Sequence, residues 1–336
     1  MPAPSHSLAR RARAAVLTMI AVAGLAGCGG DPADARQDSA ATRTVTDYFG
    51  EVEVPAEPRR VVAADPISLS LMLSLGVEPV AASFNPLSLP AHLSGDDTEI
   101  ENIAGEEGGF DPSLEGILAQ EPDLVIVAAG YDGEGDDAWN KETYDRIAAT
   151  GIPTFGYAYN DGVSLEDVDH GLSAVATALN EEATAATVMG ELTDRMEELR
   201  ERVAAAGLAD DPVSAVRLSA DGQYSVRVGT GESIAFRALG MTQPEGQQDP
   251  SAFRIDLSEE NLGELASADA LFVYTDEGAE AERDAISSSP LWPTLPAVRD
   301  DRVHWVLASV WNASDPIGLG MILDDIEMLF IEPAER

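Results

Sequence analysis

From about residue 60 onward, short apolar runs alternate with segments of helical period. Arg60-Val61-Val62-Ala63-Ala64 is a brief apolar run, the pattern of a strand covered on both faces. Asp65-Pro66 follows, with Asp as N-cap and Pro at the first helical position, and the predicted helix runs from Ile67 to Leu75 and stops at Gly76. Val77 to Ser83 reads as the next strand, so the series strand, helix, strand predicts a parallel sheet. Asp111-Pro112 is expected to cap another helix, Ser113 to Gln120. Glu121-Pro122-Asp123 is a turn, and Leu124 to Ala129 a buried strand. A helix from Tyr144 to Thr150 ends at Gly151, and Ile152 to Tyr157 is the last strand of this half. Ahead of it all, Thr44 to Pro55 alternates around Gly50 and predicts a small hairpin.

Between Ser164 and Ala206 the strand signal disappears. Leu165 to Leu179 predicts one helix and Glu181 to Ala206 a longer one, with Val188, Leu192, Met196, Leu199 and Val203 on one stripe. That stripe is core packing, but the helix would be about 39 Å long, enough to run between two lobes. The alternation then resumes. Val213 to Leu218 and Tyr224 to Val228 are strands ahead of Gly229-Thr230-Gly231, Ser233 to Leu239 is a helix, and Ser258 caps Glu259 to Ser267. Ala268 to Tyr274 and Arg302 to Leu307 are strands, and Ile317 to Leu329 is a terminal helix. Leu118 to Ile126 and Leu265 to Val273 share a helix end, an Asp turn and a β run, a weak internal repeat that suggests two similarly built α/β lobes.

The first residues follow a different pattern. Arg10, Arg11 and Arg13 precede the apolar run Ala14 to Gly24, too short to span a bilayer and suited to a secretory leader. Leu25-Ala26-Gly27-Cys28 closes it and resembles the bacterial lipobox, in which the cysteine is acylated and becomes the new N-terminus. Residues 1–27 are therefore expected to be a lipoprotein signal peptide and residues 28–44 a flexible tether. Cys28 is the only cysteine, so no intrachain disulfide holds the fold.

Composition narrows the function. The formal net charge is -40, and Lys141 is the only lysine, so the surface repels nucleic acid and anionic headgroups. With 45% hydrophobic residues the body can still bury a proper core. His6 sits in the leader, while His92, His170 and His304 are scattered, with no His-x-x-x-His pair. His92, His170 and Asp315 would be the set for a zinc or manganese site, yet their spacing does not support one. Gly229-Thr230-Gly231-Glu232-Ser233 lacks the lysine of a phosphate loop, and no nucleophile elbow is present. The chain is therefore read as a binder, not an enzyme, with no cofactor of its own.

Taken in order, Arg60-Val61-Val62-Ala63, Leu75-Gly76-Val77-Glu78-Pro79-Val80, Leu114-Glu115, Glu121-Pro122-Asp123-Leu124-Val125-Ile126 and the long helix resemble the periplasmic-binding-protein family of iron-siderophore and vitamin B12 importers. The resemblance runs from about Val45 to the C-terminus. It implies an α/β fold with two Rossmann-like lobes, 45–163 and 208–336, joined through bridging helices in 164–207, with a ligand cleft between the lobes. It also implies a monomer on the extracytoplasmic face of the cell membrane, anchored by lipid, that passes a ferric siderophore to an ABC permease dimer. Iron would be carried only as the chelate. The alternatives are a cobalamin or haem binder of the same fold, and a lipid-anchored hydrolase.

A ferric chelate is bulky and turns oxygen atoms outward, so aromatic walls and a few arginines suit it. In open α/β sheets, ligands lie beyond the carboxyl ends of the strands. Those ends offer Asp65, Phe84, Tyr131, Tyr157, Tyr159, Tyr224, Arg227, Phe253, Arg254, Tyr274 and Trp311. Loop packing competes for the aromatic residues, and surface carboxylates compete for Arg227 and Arg254. Trp292, between prolines, and Trp305, inside a strand, read as packing. The scarcity of basic residues favours a neutral or cationic hydroxamate chelate over an anionic catecholate. In the family, one glutamate on each lobe pairs with arginines of the permease. The matching positions are Glu115 and Glu260, with Glu259 an alternative to the latter, each in the first turn of a predicted helix.

Overall fold

Each central apolar run becomes a strand whose alternate side chains enter two different cores. The computed structural model describes residues 41–85, 100–105, 108–130, 138–159, 164–219, 222–249, 252–276 and 278–336. The first half opens with an antiparallel hairpin, β1 (Thr42–Asp47) and β2 (Gly50–Pro55). Then come β3 (Val61–Ala63), α1 (Pro66–Ser74), β4 (Ala81–Ala82), β5 (Glu101–Asn102), β6 (Ala104–Gly105), β7 (Gly108–Pro112), α2 (Leu114–Ala119), β8 (Leu124–Ala128), α3 (Lys141–Ala148) and β9 (Thr154–Tyr157). The sheet order is β5-β4-β3-β8-β9, with every pairing parallel. The chain leaves β3 toward one edge and later returns at β8 toward the other. The β3/β8 boundary is therefore the switch point where such sheets open a crevice.

Two helices follow, α4 (Leu165–Leu179) and α5 (Glu182–Ala205). At 1.5 Å per residue α5 is about 36 Å long. Its buried stripe is Ala185, Met189, Leu192, Met196, Leu199 and Val203, and Val188, partly buried, packs against the same core. α4 packs on α1 and β9, while α5 packs on α4 and on two helices of the second half.

The second half comprises β10 (Val213–Leu218), β11 (Tyr224–Arg227), α6 (Gly231–Ala238), β12 (Arg254–Leu257), a 3-10 helix (Glu259–Ser267), β13 (Ala270–Thr275), α7 (Glu280–Ser288), α8 (Pro296–Arg299), β14 (Val303–Trp305), α9 (Ala308–Trp311) and α10 (Pro316–Ile326). Its order is β12-β11-β10-β13-β14. β10, β13 and β14 are parallel, but β10–β11 and β11–β12 are antiparallel, so the lobes are less alike than the internal repeat suggests. The connection from Leu218 to Tyr224 passes through Gly222 at φ +76 and is far too short for the crossover that a parallel neighbour needs.

In β8, Leu124, Ile126 and Ala128 enter a core shared with α4 and α5, and Val125 and Val127 enter a core confined to the first half. In β13, Phe272 and Tyr274 enter the shared core, and Leu271 and Val273 enter a separate one in the second half. One continuous core therefore runs through both lobes and the bridging helices, and each sheet has a private core on its far side. Two local expectations change. Asp111-Pro112 ends β7 and does not cap α2; Ser113 does, accepting from the Gly116 N–H at 3.1 Å. The terminal helix turns π-helical over Glu327–Ile331, where Glu327 pairs with both Arg195 and Arg202 of α5.

Candidate functional site

The first wall of the crevice is set by Asp65. Its side chain caps α1, accepting from the Ser68 N–H at 2.8 Å, and its other oxygen accepts from the Ala128 N–H of β8 at 2.8 Å. One carboxylate thus fastens the end of β8 to the start of α1 across the switch point. Burial lifts its pKa from 3.8 to about 6, against the opposing pull of those hydrogen bonds. With α1 fixed, Pro66 and Ile67 face the crevice.

Phe110 and Trp139 extend this wall. Their rings meet edge to face with centroids 5.5 Å apart, and at 45% and 37% exposed they form an open aromatic patch beside the crevice. Gly109 makes the placement possible: a Cβ there would stand 3.0 Å from Pro66 Cγ and 3.0 Å from the Asn85 nitrogen. Tyr159, just beyond β9, completes the wall, its N–H donating to the Gly130 carbonyl at 2.7 Å.

The opposite wall belongs to the second lobe. Arg227 ends β11, and Phe253 precedes β12 at φ +56, a conformation costly for a non-glycine residue. The Phe253 carbonyl accepts from the Val228 and Gly229 N–H groups, and the ring lies 4.6 Å from the Arg227 guanidinium. Thr230, at the N-cap of α6, stands beside them. Asn312 and Ser314 reach the crevice from the loop after α9. That loop is pressed tightly in place: a Cβ on Gly231 would fall 2.0 Å from the Ala313 carbonyl oxygen, and one on Gly318 would fall 2.1 Å from Ala313 Cβ.

These walls enclose a cavity of about 410 Å³, adjoined toward α4 by a chamber of about 250 Å³. The larger lies in the range of small-molecule sites, and its lining pairs aromatic groups with polar ones. Its electrostatics centre on Arg227, which is only 5% exposed although Nε and Nη1 have no hydrogen-bond partner. The nearest carboxylate oxygen, from Glu232, is 3.9 Å from Nε. Thr230 Oγ1 is likewise buried and unpartnered. Buried donors without acceptors are costly, on the order of 1–3 kcal/mol each. Both residues belong to the lining of the cavity, where an oxygen-rich ligand would lie beside them.

Of the residues picked from strand ends, Tyr159, Arg227 and Phe253 meet in this cavity. Asp65 supports its floor from a fully buried position. Phe84 lies behind the first wall, with its backbone held by the Asn102 side chain. Tyr157, Tyr274 and Trp311 belong to the shared core. Trp311 stacks on Phe272 at 4.8 Å and donates to Asp325 at 2.9 Å. Tyr224 packs in the second lobe's private core and donates to Glu282 at 3.1 Å, and Arg254 is exposed and paired with Asp256. Tyr131 and Cys28 lie outside the described residues. Ile67, Phe110, Trp139, Thr230, Asn312 and Ser314 were not singled out by the strand-end rule. An aromatic after two glycines, Gly108-Gly109-Phe110, and one beside the positive-φ Asn140 were the available signals.

Among the described residues no three His, Cys, Asp or Glu side chains gather as a metal site. His170 is exposed on α4, and His304 packs at a tilt against Phe272, with burial pulling its pKa down to about 4. Also among the described residues, no helix is long and apolar enough to cross a membrane. Glu115 and Glu260 are both exposed in first turns, behind the capping residues Ser113 and Ser258.

The chain was compared with known proteins. The family described as periplasmic binding protein matches residues 61–305. The probable siderophore-binding lipoprotein YfiY of Bacillus subtilis is 27% identical, over 94% of this chain and 96% of its own length. The iron(3+)-hydroxamate-binding protein YxeB of the same organism is 25% identical, over 91% of each chain. Among solved structures, Staphylococcus aureus SirA complexed with staphyloferrin B superposes with a TM-score of 0.69 at 21% identity, over 85% of this chain and 98% of its own. That likeness is one of fold.

Proposed function

The chain belongs to the periplasmic binding protein family, and we propose that it is the solute-binding component of an ABC importer, capturing a ferric siderophore of hydroxamate type. The observation that carries this reading is Arg227: a buried guanidinium in the lining of a cavity of about 410 Å³ walled by Phe110, Trp139, Tyr159 and Phe253. A ferric trihydroxamate presents oxygen acceptors for the guanidinium and Thr230, and apolar linkers for the aromatic rings. The name of YfiY supports a siderophore ligand, and that of YxeB the hydroxamate class. Asp167 and Asp315 are the other charged residues of the lining, and they favour a neutral or cationic chelate over a polyanion.

In this reading the protein works outside the cytoplasm, tethered by an acylated Cys28 near its permease, where tethering raises effective concentration without a new contact. Glu115 and Glu260 would dock the two lobes on the permease; each carboxylate sits at a helix start, where the dipole favours it. The test pairs calorimetry with cellular iron uptake. The purified protein should bind a ferric trihydroxamate saturably, one to one. Reversing both glutamates to arginine should abolish uptake while leaving that affinity unchanged. Absence of any binding heat removes the ligand reading, and normal uptake by the double reversal removes the docking reading.

A further inference from the structure

Behind Arg227 stands a carboxylate that the cavity does not expose. Glu232, in the first turn of α6, is 1% exposed, and its Oε1 lies 3.9 Å from Arg227 Nε. That is too far for a hydrogen bond, yet at such a separation in water-poor surroundings the two charges largely cancel. The Tyr274 hydroxyl donates to the same Oε1 at 2.5 Å and lies 3.2 Å from Oδ1 of the cavity residue Asn312. Glu232 Oε2 has no hydrogen-bond partner, and neither have Arg227 Nε and Nη1. The next cation whose field reaches Glu232 is Arg217, already held by Asp276 through two bonds of 2.7 and 2.9 Å.

The pair is thus charge-matched but not closed. Had Glu232 formed the usual two-pronged bridge, the arginine fork would be used up. Had it been absent, the fork would offer the cavity a bare positive charge. As built, the guanidinium borders the cavity with its charge already balanced. A neutral acceptor, such as a hydroxamate carbonyl oxygen, sits beside that pair without adding charge. A carboxylate or catecholate brings a second negative group toward a buried one, and like charges in such a site repel strongly.

We propose that Glu232 is the specificity-determining residue of this cavity, cancelling the charge of Arg227 so that electroneutral or cationic chelates are taken and polyanionic ones refused. The inference rests on reading the cavity as a ferric-chelate site. The test substitutes Glu232→Gln, which keeps an oxygen for Tyr274 and removes the charge. Wild type and variant are titrated with a neutral ferric trihydroxamate, with ferric citrate and with a ferric tricatecholate at one ionic strength.

Wild type should prefer the trihydroxamate by roughly tenfold or more, and the variant should shift that ratio toward the anions by about tenfold or more. A purely structural role would lower all three affinities together and leave the ratio in place, and that result overturns the inference. So does a wild-type preference for either anion, which decides the matter even if the variant does not fold. Binding of none of the three by wild type removes the chelate reading itself and this inference with it.

Discussion

Asp65 carries the most structural work of any single side chain near the cavity, and it does so at an electrostatic cost. Wholly buried, it accepts from Ser68 in α1 and Ala128 in β8. Burial nevertheless dominates, and its pKa rises from 3.8 to about 6. A carboxyl whose native pKa is raised stabilises the fold fully below the unfolded value and loses that contribution as pH climbs through the native one. The contribution is about 3 kcal/mol, gained on acidification between pH 6 and 4 and absent at neutral pH. Asp65→Asn retains a capping oxygen and removes the titration. Denaturant unfolding should therefore show the gap between wild type and Asp65→Asn shifting in favour of wild type by roughly 2–3 kcal/mol from pH 7 to pH 4. A gap constant with pH would contradict the assignment. Asp65-Pro66 was readable in the sequence as a helix start, but its second bond, to β8, joins residues 63 positions apart and leaves no local mark.

At the scale of elements, the strand-end rule located the crevice better than its lining. It brought out Arg227 and Phe253, and it also drew in Tyr157, Tyr274 and Trp311, which point into the shared core. In a doubly covered strand both faces are apolar, so periodicity does not tell the face toward the cavity from the face toward the core. Phe110 lies on β7, a short irregular strand without a periodic pattern, and Trp139 lies in a loop. Gly229-Thr230-Gly231, which follows β11, holds a tight packing constraint in its last residue. Gly231→Ala would place a methyl 2.0 Å from the Ala313 oxygen and push the Asn312–Ser314 loop out of position. It should lower stability by about 1–3 kcal/mol and weaken chelate binding. Gly190, on the exposed face of α5, has nothing within 4 Å, so Gly190→Ala should instead raise stability by about 0.5–1 kcal/mol with binding intact. Thermal unfolding of the two variants in parallel checks both signs; equal effects would show that the packing at Ala313 is not the constraint described.

At the scale of the whole molecule, two lobes share one core through α4 and α5, and α1 touches α10 directly, with Ser74 Oγ 3.5 Å from Asp315 Oδ1. The alternation of strands and helices and the long helix made the two-lobed α/β plan legible from the chain alone. The antiparallel β10–β11 pair is legible in its short connection, but the antiparallel β11–β12 pair is not, because a helix lies between those strands as it would in a parallel unit.

The central claim is that a ferric chelate rests between these lobes, and diffraction from crystals grown with a ferric trihydroxamate, recorded at the iron edge, tests it most directly. The account predicts one anomalous peak between the Phe110–Trp139 wall and the Arg227–Phe253 wall, with a ligand oxygen within hydrogen-bond distance of the Arg227 guanidinium. Iron bound elsewhere, or an Arg227 still without a partner in the saturated protein, would contradict it.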